Sequence, residues 1–417
     1  MQARHFLLDI TPLRESVPYR TLFWGQIVSL LGTQLTIVAL PLQVYLLTRS
    51  SLAVGLIGLV QLGPILALTL FGGTLADAID RRKVLMITQL LLLLTTAALA
   101  IVTLMSHPPI WLIYLLAALL AGIAGVDGPA RGAVTRNLVR RELFPAASAL
   151  NALLRQAGAV VGPALAGLII GSFNLSLAYW LDVATYGAAL FAVILLPAQP
   201  PQGGGRSAGW SSFFEGIHYL RGRQVVQGVL LIDIDAMVFG MPRALFPALG
   251  LAVFQGGAQV VGLLYAAPAV GALIGAASSG WVGQLRRPGR AVLILVGLWG
   301  VAITVFGLSA WLPLALAMLT IAGWADIISE VLRSSLLQLS VPDNLRGRIT
   351  AVWLAQTNSA PPLGDLESGL VASLTSVQIS IATGGAACIL GALALARMLP
   401  IFRQIRLENV GENDVTS

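Results

Sequence analysis

Long runs of apolar residues, separated by short polar segments, follow one another along the whole chain. A helix needs about 20 mostly apolar residues to cross the hydrocarbon core of a bilayer. Windows of that length predict twelve helices, at about residues 21–47, 52–76, 84–106, 110–130, 147–171, 177–196, 224–248, 258–283, 290–310, 312–333, 347–372 and 376–398. The pattern therefore predicts an all-α membrane protein with twelve transmembrane helices.

The composition indicates that lipid is the solvent for most of the chain. Of the 417 residues, 57% are hydrophobic and 10% are charged, whereas roughly 25% of residues are charged in a soluble protein. The net charge of +7 would suggest a nucleic-acid partner for a soluble protein. Here the cations cluster in short loops, as they do on the cytoplasmic side of membrane proteins. We therefore expect a bilayer and no nucleic acid.

The basic residues fall on alternate polar segments. These residues are Arg4, Arg14 and Arg20; Arg81, Arg82 and Lys83; Arg136, Arg140 and Arg141; Arg206, Arg221 and Arg223; Arg286, Arg287 and Arg290; Arg346 and Arg348; and Arg397, Arg403 and Arg406. Among the opposite loops, only Arg49 is clearly basic. This asymmetry predicts a multi-pass protein of the bacterial inner membrane with both termini cytoplasmic. Residues 1–20 are polar, so no cleavable signal is expected.

A segment rich in proline and glycine divides the twelve helices into two groups of six. Residues 197–210 (PAQPPQGGGRSAGW) are typical of a linker, and residues 211–223 have the spacing of an amphipathic helix at the membrane surface. A shift of 202 residues places Arg131 on Arg333 and Gly162 on Gly364, which is a weak internal repeat. We predict a six-helix bundle at 1–196, a cytoplasmic linker at 197–223, and a second six-helix bundle with a cytoplasmic tail at 224–417.

The loop after the second helix carries the pattern Gly-x-Leu-Ala-Asp-x-x-x-Arg-Arg. Its residues are Gly73, Leu75, Asp77, Arg81 and Arg82. The pattern resembles the loop between helices 2 and 3 of major facilitator superfamily transporters, and the resemblance extends over essentially the whole chain. The sequence departs from that pattern at Ala78, where a basic residue is common, and at Asp80, where glycine is common. The resemblance implies the major facilitator fold.

The resemblance also implies a cytoplasmic gate. In the superfamily the motif aspartate lies against the start of helix 11, and the first arginine pairs with an acid at the end of helix 4. Those partners would be the helix around Ile349 and the carboxylate Asp127. The predicted gate residues are Gly73, Asp77, Arg81, Arg82, Asp127, Arg131, Glu330 and Arg333, the last two serving the second half. The alternative is that Asp77 and Arg81 form only a solvated turn.

Helix 5 carries Gly158, Gly162, Pro163 and Gly167. The glycines leave bare backbone largely on one side, which allows close helix contact, and the proline removes a backbone donor and can bend the helix. This resembles the Gly-Pro motif of the drug/proton antiporter branch, which implies export. Glycine-rich packing without that function is the alternative.

Three segments, at residues 38–43, 262–272 and 345–356, resemble the enterobactin exporter group of siderophore exporters. Macrolide-efflux-like carriers can share such short segments. The resemblance therefore implies siderophore export, with drug or macrolide export as the alternative.

Three aspartates are candidates for proton coupling. Asp233 and Asp235 lie near the middle of helix 7 and point about 200° apart, so at most one faces a central cavity. Asp326 is deep in helix 10. Ionisable groups in hydrocarbon usually face a cavity or a partner, and burial favours the protonated form of a carboxylate. The alternative is a static ion pair with an arginine such as Arg155 or Arg243.

Other polar residues have less defined roles. Asp365 and Glu367 follow Pro361 and Pro362, which favours a broken helix 11, and Asp182 is expected at the outer end of helix 6 near the membrane surface. Aromatic and amide groups suit a large, partly aromatic substrate, and an arginine can hold an anionic substrate or a carboxylate. The candidates for the substrate cavity are Trp24, Gln34, Arg155, Trp324 and Trp353.

Several chemistries are excluded by residues that the sequence lacks. The only lysine, Lys83, is not in a phosphate-binding loop, so ATP hydrolysis by that route is excluded. The three histidines are isolated, and the single cysteine, Cys388, permits no internal disulfide. We expect no enzyme activity, no metal and no cofactor, with the proton gradient as the energy source.

The sequence thus predicts a monomeric secondary exporter that works by alternating access, exchanging protons for a siderophore of the enterobactin type. Multidrug or macrolide antiport is the alternative substrate class. A membrane sensor that binds a ligand without moving it is the alternative from another class.

The predicted gate can be tested at Asp77. The Asp77→Asn substitution removes the charge but keeps the shape, so transport in proteoliposomes should fall more than substrate binding does. Unchanged transport would contradict the gate.

Overall fold

Twelve long helices follow one another in the described part of the chain. The computed structural model describes residues 9–200, 218–220 and 222–406, without the side chains of 69–78 and 343–344. The helices are α1 (Val17–Thr48), α2 (Ser51–Ala78), α3 (Arg81–Thr103), α4 (Ile110–Leu138), α5 (Phe144–Ser172), α6 (Leu175–Ile194), α7 (Gln224–Val253, interrupted), α8 (Gly257–Ser278), α9 (Pro288–Leu308), α10 (Leu312–Ser340), α11 (Asp343–Leu374) and α12 (Val377–Met398). The prediction of an all-α fold is confirmed.

Most of these helices can cross a bilayer. Within the described residues, eleven are long and apolar enough, and α11 is the exception: a polar run, Gln-Thr-Asn-Ser at 356–359, followed by two prolines, interrupts its apolar sequence. Large apolar side chains point away from the protein, among them Phe191, Leu374 and Leu390, which are 64%, 77% and 66% exposed. An apolar surface of this kind requires lipid around it. The chain is a multi-pass membrane protein.

The chain divides into two compact units. The first unit contains Met1–Gln43 and Val60–Ser207, and the second contains Val44–Leu59 and Ala208–Ser417. The end of α1 and the start of α2 therefore group with the second unit. Nearly all of the predicted linker and its amphipathic helix lie outside the described residues, so the predicted domain boundaries stay a prediction.

In the first unit, the glycines of α5 receive side chains of α1. A Cβ atom added at Gly158 would lie 2.6 Å from Leu30 Cδ2, and one at Gly162 would lie 2.4 Å from Gln34 Cβ. The close helix contact expected at these glycines is therefore made with α1. Pro163 is buried within α5 and does not interrupt it.

In the second unit, α7 is interrupted after Phe239. The regular helix stops at Gly240, and the chain continues through Pro242 into short 3-10, α and π turns that end at Val253. The apolar window at 224–248 predicted a continuous helix, and this expectation was wrong. Proline has no N–H to donate and its ring clashes with the preceding turn, so Pro242 favours an end of the regular helix at this point.

Side chains from three neighbouring helices satisfy the backbone at this break. Trp299 Nε1 of α9 donates to the Gly240 carbonyl at 2.8 Å, and the Ala244 N–H donates to Asp365 Oδ1 of α11 at 2.9 Å. Tyr265 of α8 donates through its hydroxyl to the Arg243 carbonyl at 3.1 Å. Irregular backbone at membrane depth is tolerated only where such partners exist.

The expected break in α11 is not present. Regular helix continues from Asp343 to Leu374 through Pro361 and Pro362. Within the second unit, Gly58 of α2 lies so close that its added Cβ would be 2.6 Å from the Pro362 carbonyl oxygen. A proline pair in a membrane helix is tolerated when neighbouring helices support the backbone, and Asp365 supports the break in α7 instead.

The hydrogen bond from Trp299 to Gly240 can be tested by substitution. Trp299 is 2% exposed, and Trp299→Phe would leave a buried carbonyl without its donor. We expect a loss of about 1–3 kcal/mol of stability, measured as a lower unfolding temperature in detergent. Trp311, which is 65% exposed, provides the control: Trp311→Phe should change stability by less than about 0.5 kcal/mol. Equal unfolding temperatures for the two variants would contradict this account.

Candidate functional site

Three charged side chains and one amide meet between α7, α10 and α11. Arg333 Nη1 lies 2.6 Å from Asp233 Oδ1, and Arg333 Nη2 lies 3.2 Å from Asp326 Oδ1. Gln356 Nε2 donates to Asp233 Oδ2 at 2.7 Å and to the Leu230 carbonyl at 3.0 Å. We call Asp233, Asp326, Arg333 and Gln356 the Arg333 cluster.

The two carboxylates of this cluster differ in access to solvent. The side chains of Arg333 and Asp233 are 1% and 2% exposed, whereas that of Asp326 is 30% exposed. A buried charge is tolerated only with a partner, and removing one member of a buried pair is costly. One guanidinium faces two carboxylates here, so the cluster carries one excess negative charge when both acids are ionised.

Asp233 and Asp235 point in different directions, as the helical spacing predicted. Asp233 faces Arg333, so its ion-pair partner is neither Arg155 nor Arg243. Asp235 faces α12, where a Cβ atom added at Gly391 would lie 2.0 Å from Asp235 Oδ1. Within the described residues, Asp235 Oδ2 is buried without a hydrogen bond.

Glu330 and Arg333, both predicted to belong to the gate of the second half, form no ion pair with each other in the described part of the chain, and their role in a gate stays a prediction. Arg333 points to Asp233 and Asp326 instead. Glu330 is exposed and forms no ion pair in the described part of the chain. The physical reason is hydration: an exposed carboxylate is already solvated, whereas buried Asp233 needs the guanidinium.

A second polar cluster lies in the first unit between α3 and α4. Asp127 Oδ1 accepts hydrogen bonds from Thr88 Oγ1 at 2.7 Å and Gln89 Nε2 at 2.8 Å. Asp127 Oδ2 accepts from Arg131 Nη2 at 2.9 Å and Nε at 3.2 Å. We call Thr88, Gln89, Asp127 and Arg131 the Asp127 cluster. One cation faces one carboxylate here, so this cluster is balanced.

The ion-pair partner of Asp127 in the described residues is Arg131, which lies one helical turn away on the same face of α4. The pairing of Arg81 with Asp127 that the resemblance implied stays a prediction. The side chains of Gly73 and Asp77 lie outside the described residues, so the Asp77 contact near Ile349 stays a prediction.

The loop around Arg81 is attached to the chain that follows α6. The Arg81 N–H donates to the Gln199 carbonyl at 3.1 Å, and the Gln199 N–H donates to Asp80 Oδ1 at 3.1 Å. Arg82 Nη2 donates to the Ile194 carbonyl at 2.5 Å. Asp80, where glycine is common in the superfamily, is therefore used to hold this loop in place.

The five candidates for the substrate cavity have different surroundings. Trp24 is 59% exposed, Arg155 is exposed without an ion pair among the described residues, and Gln34 packs on Gly162 as described above. Trp324 donates through Nε1 to Ser278 Oγ of α8 at 3.1 Å. Trp353 is partly buried against the core and lines a pocket of about 200 Å³ with residues of α10 and α11.

Asp182, which was expected near the membrane surface, is fully buried inside the first unit. It accepts hydrogen bonds from Thr36 of α1 and from Thr185 Oγ1, the latter at 3.2 Å. Next to it, Thr33 Oγ1 and the Tyr186 hydroxyl are 3.0 Å apart. The signal that would have identified this contact is the spacing of Thr33 and Thr36, which places two hydroxyls toward the same side of α1.

The comparisons with known proteins agree with this architecture. Residues 9–413 match the family described as "transmembrane secretion effector" within the major facilitator superfamily. The chain belongs to this family. It is similar to the enterobactin exporter EntS of Shigella boydii serotype 18 and of Escherichia coli O1:K1, with 31% identity over 407 residues in each case. The match covers 97% of this chain and 98% of each relative.

Solved structures of transporters share the fold. The nucleoside transporter NupG superposes with a TM-score of 0.78 at 11% identity, covering 92% of this chain and 99% of that one. A bacterial homologue of the iron transporter ferroportin, in an inward-facing state, gives 0.71 at 16% identity, covering 91% and 98%. The predicted major facilitator fold is confirmed, and the family is one of transporters and not of enzymes.

The buried pair in the Arg333 cluster can be tested by stability. Asp233→Leu should cost about 3–5 kcal/mol, because it removes the closest partner of a buried guanidinium. The double variant Asp233→Leu/Arg333→Met should recover most of that loss, as measured by thermal unfolding in detergent. Glu15→Gln is the control, since Glu15 and Arg140 form an exposed pair that is worth about 0–1 kcal/mol. A double variant no more stable than Asp233→Leu would contradict the assignment.

Proposed function

We propose that this transporter exports an anionic siderophore of the catechol type and takes up protons in exchange, through alternating access. The observation that carries the coupling is the Arg333 cluster, where one guanidinium holds two carboxylates. The full-length similarity to the enterobactin exporters supports the substrate class. The arginine-rich ends of the helices support an orientation with both termini in the cytoplasm of a bacterial cell.

The excess charge of the Arg333 cluster makes it suited to bind one proton. In a medium of low dielectric constant, an unbalanced negative charge favours proton uptake. Asp326 is 30% exposed and Asp233 is 2% exposed, so the proton enters at Asp326. A proton on Asp326 weakens its attraction to Arg333, and Asp233 with Gln356 retains the guanidinium.

The proton changes the balance between two conformations of the carrier. A ligand shifts such an equilibrium only if it binds the two conformations with different affinity. The proton meets this condition if Asp326 contacts Arg333 in one conformation and not in the other. The Asp127 cluster needs no proton because its single carboxylate already faces one guanidinium. We therefore assign coupling to the second unit and a structural role to the Asp127 cluster.

The substrate class follows from similarity and from the available cations. Catechol siderophores are large, partly aromatic and acidic. Arg155 is exposed and has no ion-pair partner in the described ranges, so it is suited to bind an acidic substrate group.

Proton flux in proteoliposomes with an imposed proton gradient tests this function. Adding enterobactin-like catechols should cause an internal pH change that Asp326→Asn reduces to background. Asp235→Asn is the matched control, because it neutralises an aspartate of the second unit that lies outside the Arg333 cluster, and the flux of this variant should persist.

The other outcomes separate the alternatives. Flux with lipophilic drugs alone would replace siderophore export by multidrug efflux. Binding of catechols without flux would favour a sensor or a uniporter. Flux lost in Asp235→Asn and kept in Asp326→Asn would retain the exporter and overturn the assigned proton site.

A further inference from the structure

Four arginines line one pocket at the arginine-rich end of the second unit. The pocket has a volume of about 690 Å³ and lies beside the start of α9. Its cationic lining residues are Arg286, Arg287, Arg290 and Arg406. In the described part of the chain, none of the four has a carboxylate within ion-pair distance. Guanidinium groups gathered without a counter-ion suit a phosphate, which they bind through paired hydrogen bonds.

An apolar groove continues from this pocket along α9 and α12. It has a volume of about 290 Å³. Its apolar lining includes Leu293, Ile294, Gly297, Ile389, Leu393 and Ala396. Arg290 and Ile294 line both the pocket and the groove, and Arg403 lies at the groove as well. Ile294 and Leu393 are 61% and 48% exposed, so the groove opens on the apolar outer surface.

We propose that the pocket and groove together bind one anionic phospholipid. The phosphate would lie among the arginines and an acyl chain would lie in the groove. Arg290 is the third residue of a membrane-spanning helix, which places the arginines near the level of lipid headgroups. Basic pockets between membrane helices bind anionic headgroups in this way. A free phosphate would use the arginines but not the groove, so the joined groove favours a lipid.

Lipid binding to the full-length protein tests the site. Delipidated protein in detergent is titrated with phosphatidylglycerol, cardiolipin and phosphatidylcholine, and bound lipid is counted by native mass spectrometry. The protein should bind one molecule of phosphatidylglycerol or cardiolipin more tightly than it binds phosphatidylcholine. The double variant Arg286→Gln/Arg290→Gln should weaken binding of the anionic lipid by about tenfold or more. Arg397→Gln is the control, because Arg397 is an exposed arginine of α12 that does not line the pocket.

A second variant distinguishes a lipid from a small anion. A Cβ atom at Gly297 would meet no atom within 4 Å, so Gly297→Leu fills the groove without disturbing the helices. It should weaken lipid binding and leave binding of inorganic phosphate unchanged. The proposal is overturned if phosphatidylcholine binds equally well, if the arginine variant binds normally, or if Gly297→Leu has no effect. It is also overturned if lipid binds only after Glu408, Glu412 and Asp414 are neutralised, since the chain's own acidic end would then be the occupant.

Discussion

Hydrocarbon cannot solvate a polar group, and the internal contacts of this protein follow from that constraint. Burying a polar group is costly unless it finds a partner within the protein. The interrupted α7 is stable because Trp299, Tyr265 and Asp365 supply the missing hydrogen bonds. The same requirement pairs Arg333 with Asp233, and it turns Asp182 inward to the threonines of α1 and α6. Polar contacts in the described ranges therefore connect helices more specifically than apolar packing can.

Arg131 and Arg333, which the weak internal repeat of the sequence places at equivalent positions, have different carboxylate partners. Arg131 of α4 contacts one carboxylate, the buried Asp127, whereas Arg333 of α10 contacts two, the buried Asp233 and the partly exposed Asp326. A balanced pair is a stable connection, whereas an unbalanced one responds to a proton. In the proposed mechanism, this charge difference of one assigns proton coupling to the second unit and not to the first.

Some of the site was predictable from the sequence and some was not. The opposite directions of Asp233 and Asp235 follow from helical spacing, and the glycines of α5 indicated a close helix contact. The partners across helices did not follow: Arg333 pairs with Asp233, which lies 100 residues earlier in the chain, and Gln356 of another helix donates to the same carboxylate. The effect of a proline on its helix was also not predictable. The regular part of α7 ends just before Pro242, whereas α11 continues through Pro361 and Pro362. Which of these outcomes occurs depends on neighbouring helices that are distant in sequence.

The sequence by itself determined the twelve helices, the apolar outer surface and the family. These depend on composition and local order, because a span requires only enough apolar residues in a row. The tertiary structure alone decided which acid meets which arginine, where α7 breaks, and which arginines share a pocket beside an apolar groove. Such features depend on the distance between side chains that lie about a hundred residues or more apart along the chain. Packing sets that distance, and no local pattern encodes it.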